Sequence, residues 1–281
     1  HELPARQRSV RTIFEVSWQR LSPRAQKAFA QMAVFRGSFT RRAAEQVAGA
    51  DLHALRELVN TSCVNLEQSD GGARYSIHEL LRQFAAERLE ERGATAAIRD
   101  RHSAYYLAAL AEREQDLKGR DQLAALLAIE TDLENVRQVW SHGLAQADAA
   151  AIAAAMESLY LFFELRSRQF EGVQLFDRAV ERLAELEPTR GVQWARCAIR
   201  RGMLISLRPD PERLVEAELR RCLNIVEAAE QTVEIALCRM ALGFTIGRAQ
   251  QDLRRCLPQL EQAMALFAEA EEHFYVAQLL T

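Results

Sequence analysis

The stretch CVNLEQSDGGARYSIHELLRQFAAERL, residues 63–89, carries the reading of the fold. CVNLEQ and ARYSIH are short runs with strand composition, and Tyr75 and Ile77 alternate with Arg74 and Ser76. SDGG at 69–72 supplies a tight turn between them, so the segment predicts a β-hairpin. From Leu80 the apolar positions fall at Leu80, Leu81, Phe84, Ala85 and Leu89, which is helical spacing. Ser76 and Glu79 match a capping box, S-x-x-E, which would put His78 inside the helix's first turn. Free backbone N–H groups and the positive end of the helix dipole gather there, a setting that favours anions and a neutral imidazole. On the residues alone, His78 reads either as an exposed structural histidine or as a phosphate contact.

Upstream of the hairpin the pattern is helical. SVRTIFEVSWQRL places Val10, Ile13, Phe14, Trp18 and Leu21 on or near one face. Ser22 and Pro23 form an N-cap and N1 pair opening PRAQKAFAQMAVF, and RGSFT at 36–40 reads as a turn. Thr40 caps RRAAEQVAG, with Gly49 just past its end, and Asp51 caps LHALRELVNT. Helices followed by a hairpin predict a winged helix over residues 1–92.

Strand signals stop after residue 93. Residues 93–150 read as a helical linker or the first helices of a solenoid, and 151–281 as repeats resembling tetratricopeptide (TPR) hairpins. LRRCLNIVEAAEQ and LEQAMALFAEAEE align at an offset of 41 residues, as do the segments around Gly202 and Gly243. An earlier copy, LFDRAVERLAELE, contributes Ala179 where the later copies carry Cys222 and Ala263. The fold class is therefore mainly α: an N-terminal winged helix with a three-helix core and hairpin wing, then an α-solenoid. The last residues, YVAQLLT, read as a helix cut midway, so further repeats are expected beyond them, and the opening HELPARQRSV has no signal-peptide design.

Net charge is −3, which demands neither nucleic acid nor an anionic membrane. The longest apolar run, AAAIAAAMESLYLFFELRS, is interrupted by Glu157 and Glu164, so no membrane segment is expected and the localisation reads as cytoplasmic. The five cysteines form no C-x-x-C pair and read as buried reduced thiols, with no metal site. There is no G-x-x-x-x-G-K-[ST], H-E-x-x-H or G-x-S-x-G, so no catalytic residues are assigned and the chain alone is not expected to be an enzyme. The helix that would enter a DNA groove, DLHALRELVN, sets one arginine against Asp51 and Glu57. Nine cations precede residue 43 (Arg6, Arg8, Arg11, Arg20, Arg24, Lys27, Arg36, Arg41, Arg42) but lie on other elements. Nucleic acid is accordingly not the expected partner, although a DNA-binding regulator and a plain TPR scaffold both stand as alternatives.

The order LPARQRSVRTIFEVSWQRLSPRAQKAFAQMAVFRGSFTRRAAEQV, LRELVNTSCV, RYSIHELLRQFAAERL resembles the winged-helix domain that follows the ATPase core in bacterial STAND proteins, signal-transduction NTPases related to plant NLR receptors and animal apoptosome proteins. DLENVRQVW followed by degenerate repeats is similar to the sensor half of the same family. The resemblance implies that Ile77, His78 and Glu79 stand where the family has its MHD motif, whose histidine contacts the ADP β-phosphate. Isoleucine replaces methionine and glutamate replaces aspartate here. It further implies an intramolecular NTPase partner, ADP or ATP with Mg in the parent protein but no cofactor in this chain, and oligomerisation on activation. An activating ligand of unknown identity would then meet the concave repeat face. Counting from Gly202 and Gly243 places Arg196, Ile199, Met203, Phe244 and Arg248 on that face.

Overall fold

A computed structural model of the chain describes residues 5–69, 72–187, 189–207, 214–250 and 252–280. It divides the chain into two compact units. One runs to Ala109 and takes in Ala128–His142; the other comprises Leu110–Leu127 and continues from Gly143.

The first unit contains α1 (Ala5–Arg20), α2 (Pro23–Met32), β1 (Ser38–Thr40), α3 (Arg41–Ala48), α4 (Leu52–Asn60), β2 (Asn65–Ser69), β3 (Gly72–Ser76) and α5 (Glu79–Glu91). The three caps legible in the sequence form as read. Ser22, Thr40 and Asp51 accept from the backbone N–H groups of Ala25, Ala43 and Ala54 at 3.2, 3.1 and 3.0 Å. Gly49 closes α3 at φ 57°, a left-handed conformation that glycine adopts without a Cβ clash. α2 lies at the centre, with Ala25, Ala28, Phe29, Ala30 and Met32 buried. The α1 face is narrower than its periodicity predicts. Trp18 and Leu21 are buried and Phe14 rests 6.1 Å from Phe84, but Ile13 is 61% exposed.

The hairpin forms, with Leu66 opposite Tyr75 and Ser69 opposite Gly72; residues 70 and 71 of the SDGG turn lie outside the described residues. RGSFT is not simply a turn. Its last three residues are β1, which pairs antiparallel with β3 so that the sheet order is β1-β3-β2. Three residues are too few to show alternation, but Phe39, fully buried and stacked 4.1 Å from Phe35, holds the strand in the core. β3 is thus a central strand, and Ser76 pairs with both Ser38 and Asn65.

The long helices α6 (Thr95–Leu117) and α7 (Gln122–Gln146) follow. The α7 segment of the first unit is tied to the sheet. Asp132 pairs with Arg74 at 2.6 Å, and the Asn135 amide donates to the Ser38 carbonyl at 3.1 Å. DLENVRQVW, assigned from the sequence to a sensor half, therefore falls with the winged-helix residues.

The second unit contains α8 (Ala149–Leu165), α9 (Gln169–Leu186), α10 (Val192–Ser206), α11 (Leu214–Ala228), α12 (Thr232–Gln250), α13 (Leu253–Glu269) and α14 (His273–Leu279). The 41-residue repeat is a repeated contact. A Cβ on Gly202 would stand 2.7 Å from a methyl of Leu219, and one on Gly243 would collide in the same way with Leu260. Glycine is what lets α10 approach α11, and α12 approach α13, so closely. Ala179, Cys222 and Ala263 are fully buried, as the aligned copies predict. All five cysteines are free and buried, and burial pushes Cys197 and Cys222 up to about 12. No helix among the described residues is long and apolar enough to cross a membrane.

Candidate functional site

His78 is not inside the first turn. It is the N-cap of α5, at φ −60° and ψ 140°, and its Nδ1 accepts from the Leu80 N–H at 3.3 Å. Ser76 cannot close a capping box because the central strand holds it in the ladder on both sides. Glu79 does not reach back either. Its carboxylate takes two bonds from Arg82, at 2.6 and 2.8 Å, and one from Gln83 at 3.0 Å. Those bonds, Arg82 foremost, draw Glu79 down to about 2. Ile77 is half-buried, while His78 and Glu79 are exposed. With Nδ1 occupied as an acceptor, the His78 ring carries its proton on Nε2. The cap therefore presents the Nε2 edge of the ring beside the N–H groups of a helix start.

On α4 the structure changes the charge count. Glu57 holds Ser22, accepting its backbone N–H at 2.6 Å and its hydroxyl at 2.7 Å. Asp51 caps α4 and pairs with Arg24 at 2.6 Å. The exposed side of α4 is therefore Leu52, His53, Arg56 and Asn60, and Arg41 and Arg42 stand exposed at the start of α3.

The five residues placed on a concave repeat face are not gathered into an open surface. Ile199 and Met203 are 0% and 1% exposed, so both pack within the unit rather than on an open face. Arg196 is half-buried and donates to Glu234 at 2.7 Å. Phe244 keeps partial exposure, and Arg248 is exposed while donating to the Leu207 carbonyl at 3.1 Å.

What occupies this part of the second unit is an ionic cluster absent from the sequence reading. Arg200 of α10 is 2% exposed and pairs with Glu157 of α8 at 2.7 Å and with Glu234 of α12. Tyr275 of α14 donates its hydroxyl to Glu157, and Lys118 lies over the Tyr275 ring while pairing with Glu272 at 3.2 Å. Burial alone would raise the Glu157 carboxyl; Arg200 and Lys118, with the Tyr275 hydroxyl, hold it below its ordinary value instead. One signal pointed there: a glutamate in the apolar run of α8 needs a buried partner.

One helical turn beyond Tyr160, Glu164 behaves oppositely. Burial pushes it up to about 7, with Glu157 adding to the push and the Gln278 amide, 3.3 Å away, opposing it. The folded unit thus holds a proton there that the unfolded chain releases near 4.5. The contribution of Glu164 to the stability of the second unit falls as pH rises from about 4.5 to about 7, since the folded state binds more protons there across that window. Glu164→Gln should flatten this slope in urea titrations of the chain at a series of pH values; an unchanged slope would exclude Glu164 as its source.

No group of His, Cys, Asp and Glu among the described residues could hold a metal ion. No family model matches the chain, and no solved structure does. Curated relatives do match, over 186 residues at 28% identity. They include "Putative HTH-type transcriptional regulator Rv0890c" of Mycobacterium tuberculosis and "Putative HTH-type transcriptional regulator Mb0914c" of Mycobacterium bovis. The match takes in 63% of this chain and 20% of each relative, so the chain spans about a fifth of the length of the relatives it matches.

Proposed function

We propose that the chain is part of a transcription regulator, in which the winged helix contacts DNA through α4 and the helical repeats receive a partner or ligand. The observation that carries this reading is the α4 surface. Its two acids are engaged within the fold, and His53, Arg56 and Asn60 remain on the exposed side. Arginine and asparagine are the residues that read guanine and adenine edges, and Arg41 and Arg42 are suited to flanking phosphates. The names of the relatives support the same role. The chain supplies no catalytic step of its own and works in the cytoplasm.

The test is a fluorescence-anisotropy titration of the chain with duplex DNA at a series of salt concentrations. Affinity should fall steeply with salt; Arg56→Ala should weaken binding by about 1–3 kcal/mol, and Arg41→Ala with Arg42→Ala should lower the salt slope by about 2. Absence of binding at low salt, or identical affinity for Arg56→Ala, sinks the reading.

A second reading is favoured by one observation, the Nε2–H donor of His78 at the start of α5. In a STAND-type switch that donor would meet the ADP phosphate of an NTPase domain, and a signal on the TPR-like repeats would open the protein and let it oligomerise. On this reading the duplex titration is silent, and His78→Ala in a protein carrying the NTPase domain lowers the ADP retained through purification.

A further inference from the structure

Between α6 and α7 of the first unit lies a cleft of about 220 Å³ lined by Arg99, His102, Ser103, Gln138, Ser141 and His142. Three of these come from each helix, at the same i, i+3, i+4 spacing. Where two helices face each other, those positions ordinarily carry apolar side chains. Here every one is polar.

The hydrogen bonds around His102 define what the cleft can accept. The Asn135 amide group donates to the Ser38 carbonyl, which fixes Oδ1 as the acceptor end of that side chain. Oδ1 takes the Arg36 backbone N–H at 2.8 Å and lies 3.2 Å from His102 Nε2. His102 Nε2 must therefore donate, and its Nδ1 carries a lone pair. The ring is 1% exposed, and burial draws it down to about 4, so it is neutral at physiological pH. Gln138 accepts Arg36 Nε at 2.8 Å, which leaves its NH2 as the donor end. Arg36 and Arg82 stand close enough to repel each other, with Glu79 opposing, and Arg99 adds to the positive field. His142 faces Asp100 at 3.6 Å.

We propose that this cleft binds a phosphate group in its singly protonated form. The oxygens would accept from Arg99, the two serine hydroxyls and the Gln138 amide, while the P–O–H donates to His102 Nδ1. A volume of about 220 Å³ admits a phosphate with a small substituent and is below the usual size of a pocket for larger ligands. The inference does not depend on DNA contact by α4, and a silent duplex titration leaves it standing.

Sulfate separates recognition of this kind from a simple cluster of cations, since sulfate has matching charge and size but no proton to donate near neutrality. Calorimetric titration of the whole chain at neutral pH should show inorganic phosphate binding at least tenfold more tightly than sulfate. Arg99→Ala, at an exposed position, should weaken phosphate at least tenfold with an unchanged melting temperature, and Ser103→Ala should weaken it to a smaller extent. Glycerol 3-phosphate, titrated against inorganic phosphate near pH 5.5 where a monoester with a second pKa of about 6 keeps its P–O–H, forms a third arm. Binding as tight as phosphate identifies a phosphorylated small molecule as the ligand, and its exclusion identifies free phosphate; both support the site. No heat from phosphate at millimolar concentration overturns the proposal, and so does sulfate binding as tightly as phosphate.

Discussion

Arg200→Ala is expected to destabilise the repeat unit by about 3–5 kcal/mol, the usual effect of removing one partner from a buried ion pair. Arg200 pairs with both Glu157 of α8 and Glu234 of α12, and its loss would take from two buried carboxylates the cation they share. Lys118 and Arg196 remain, but Lys118 also pairs with Glu272, and Arg196 holds only Glu234 Oε1, leaving Oε2 and the Glu157 oxygen bound by Arg200 without their cation. The two glutamates would answer by taking up protons, so the variant should recover stability as pH falls, in contrast to ordinary acid destabilisation. Hydrogen exchange resolved by segment is the suitable measurement, because it reads α10 and α12 separately from the first unit. Adding Glu157→Gln and Glu234→Gln to Arg200→Ala should restore part of the loss, because neutral amides cost less to bury than unpaired charges. A loss below about 1 kcal/mol, or no recovery in the triple variant, would show that the cluster is solvated rather than buried.

The cluster also shows why part of the molecule was hidden from the sequence. Caps, periodicity and the repeat are local signals, and Ser22, Thr40, Asp51, Gly49, Gly202 and Gly243 all do what their neighbours predict. The misread positions depend on residues far along the chain. β1 is a strand only because β3 lies beside it, and once β1 is missed Ser76 looks available as a cap. His78 then falls one step too deep in the helix. Glu157 was legible as an interruption of an apolar run, but its partners lie on α10 and α14. The repeat did contain a hint. Gln193, Glu234 and Tyr275 are spaced by 41 residues and occupy the same register, and two of the three belong to the cluster. The spacing of Ile199 and Met203 from Gly202 identifies a side of α10 but not what covers it, and both are buried. The α4 surface follows the same logic: Glu57 is acidic in the sequence but engaged by Ser22 in the fold.

Asn135→Leu should cost the first unit about 3–5 kcal/mol, although the two side chains are close in volume and the site is fully buried. Three interactions converge on this residue: it accepts from the Arg36 N–H, faces His102 Nε2 and donates to the Ser38 carbonyl. Leucine leaves the first two as buried donors without an acceptor, at about 1–3 kcal/mol each. The Ser38 carbonyl keeps a bond from Arg74 at 2.9 Å and suffers less. Asn135→Asp separates the hydrogen-bonding role from packing, because it retains an acceptor and adds a charge. In the native chain His102 is held at about 4, below its ordinary 6.5, so its contribution to the stability of the first unit is complete above 6.5 and is lost as pH falls from there toward 4. A carboxylate beside the ring favours imidazolium and should lift that value, reversing the slope over the same interval. The His102 titration followed by NMR, alongside urea titrations at pH 5 and pH 7, checks both statements. If Asn135→Asp left the His102 titration where it is, Asn135 would not be the partner that fixes the ring's tautomer, and the phosphate cleft would lose the acceptor on which its selectivity rests.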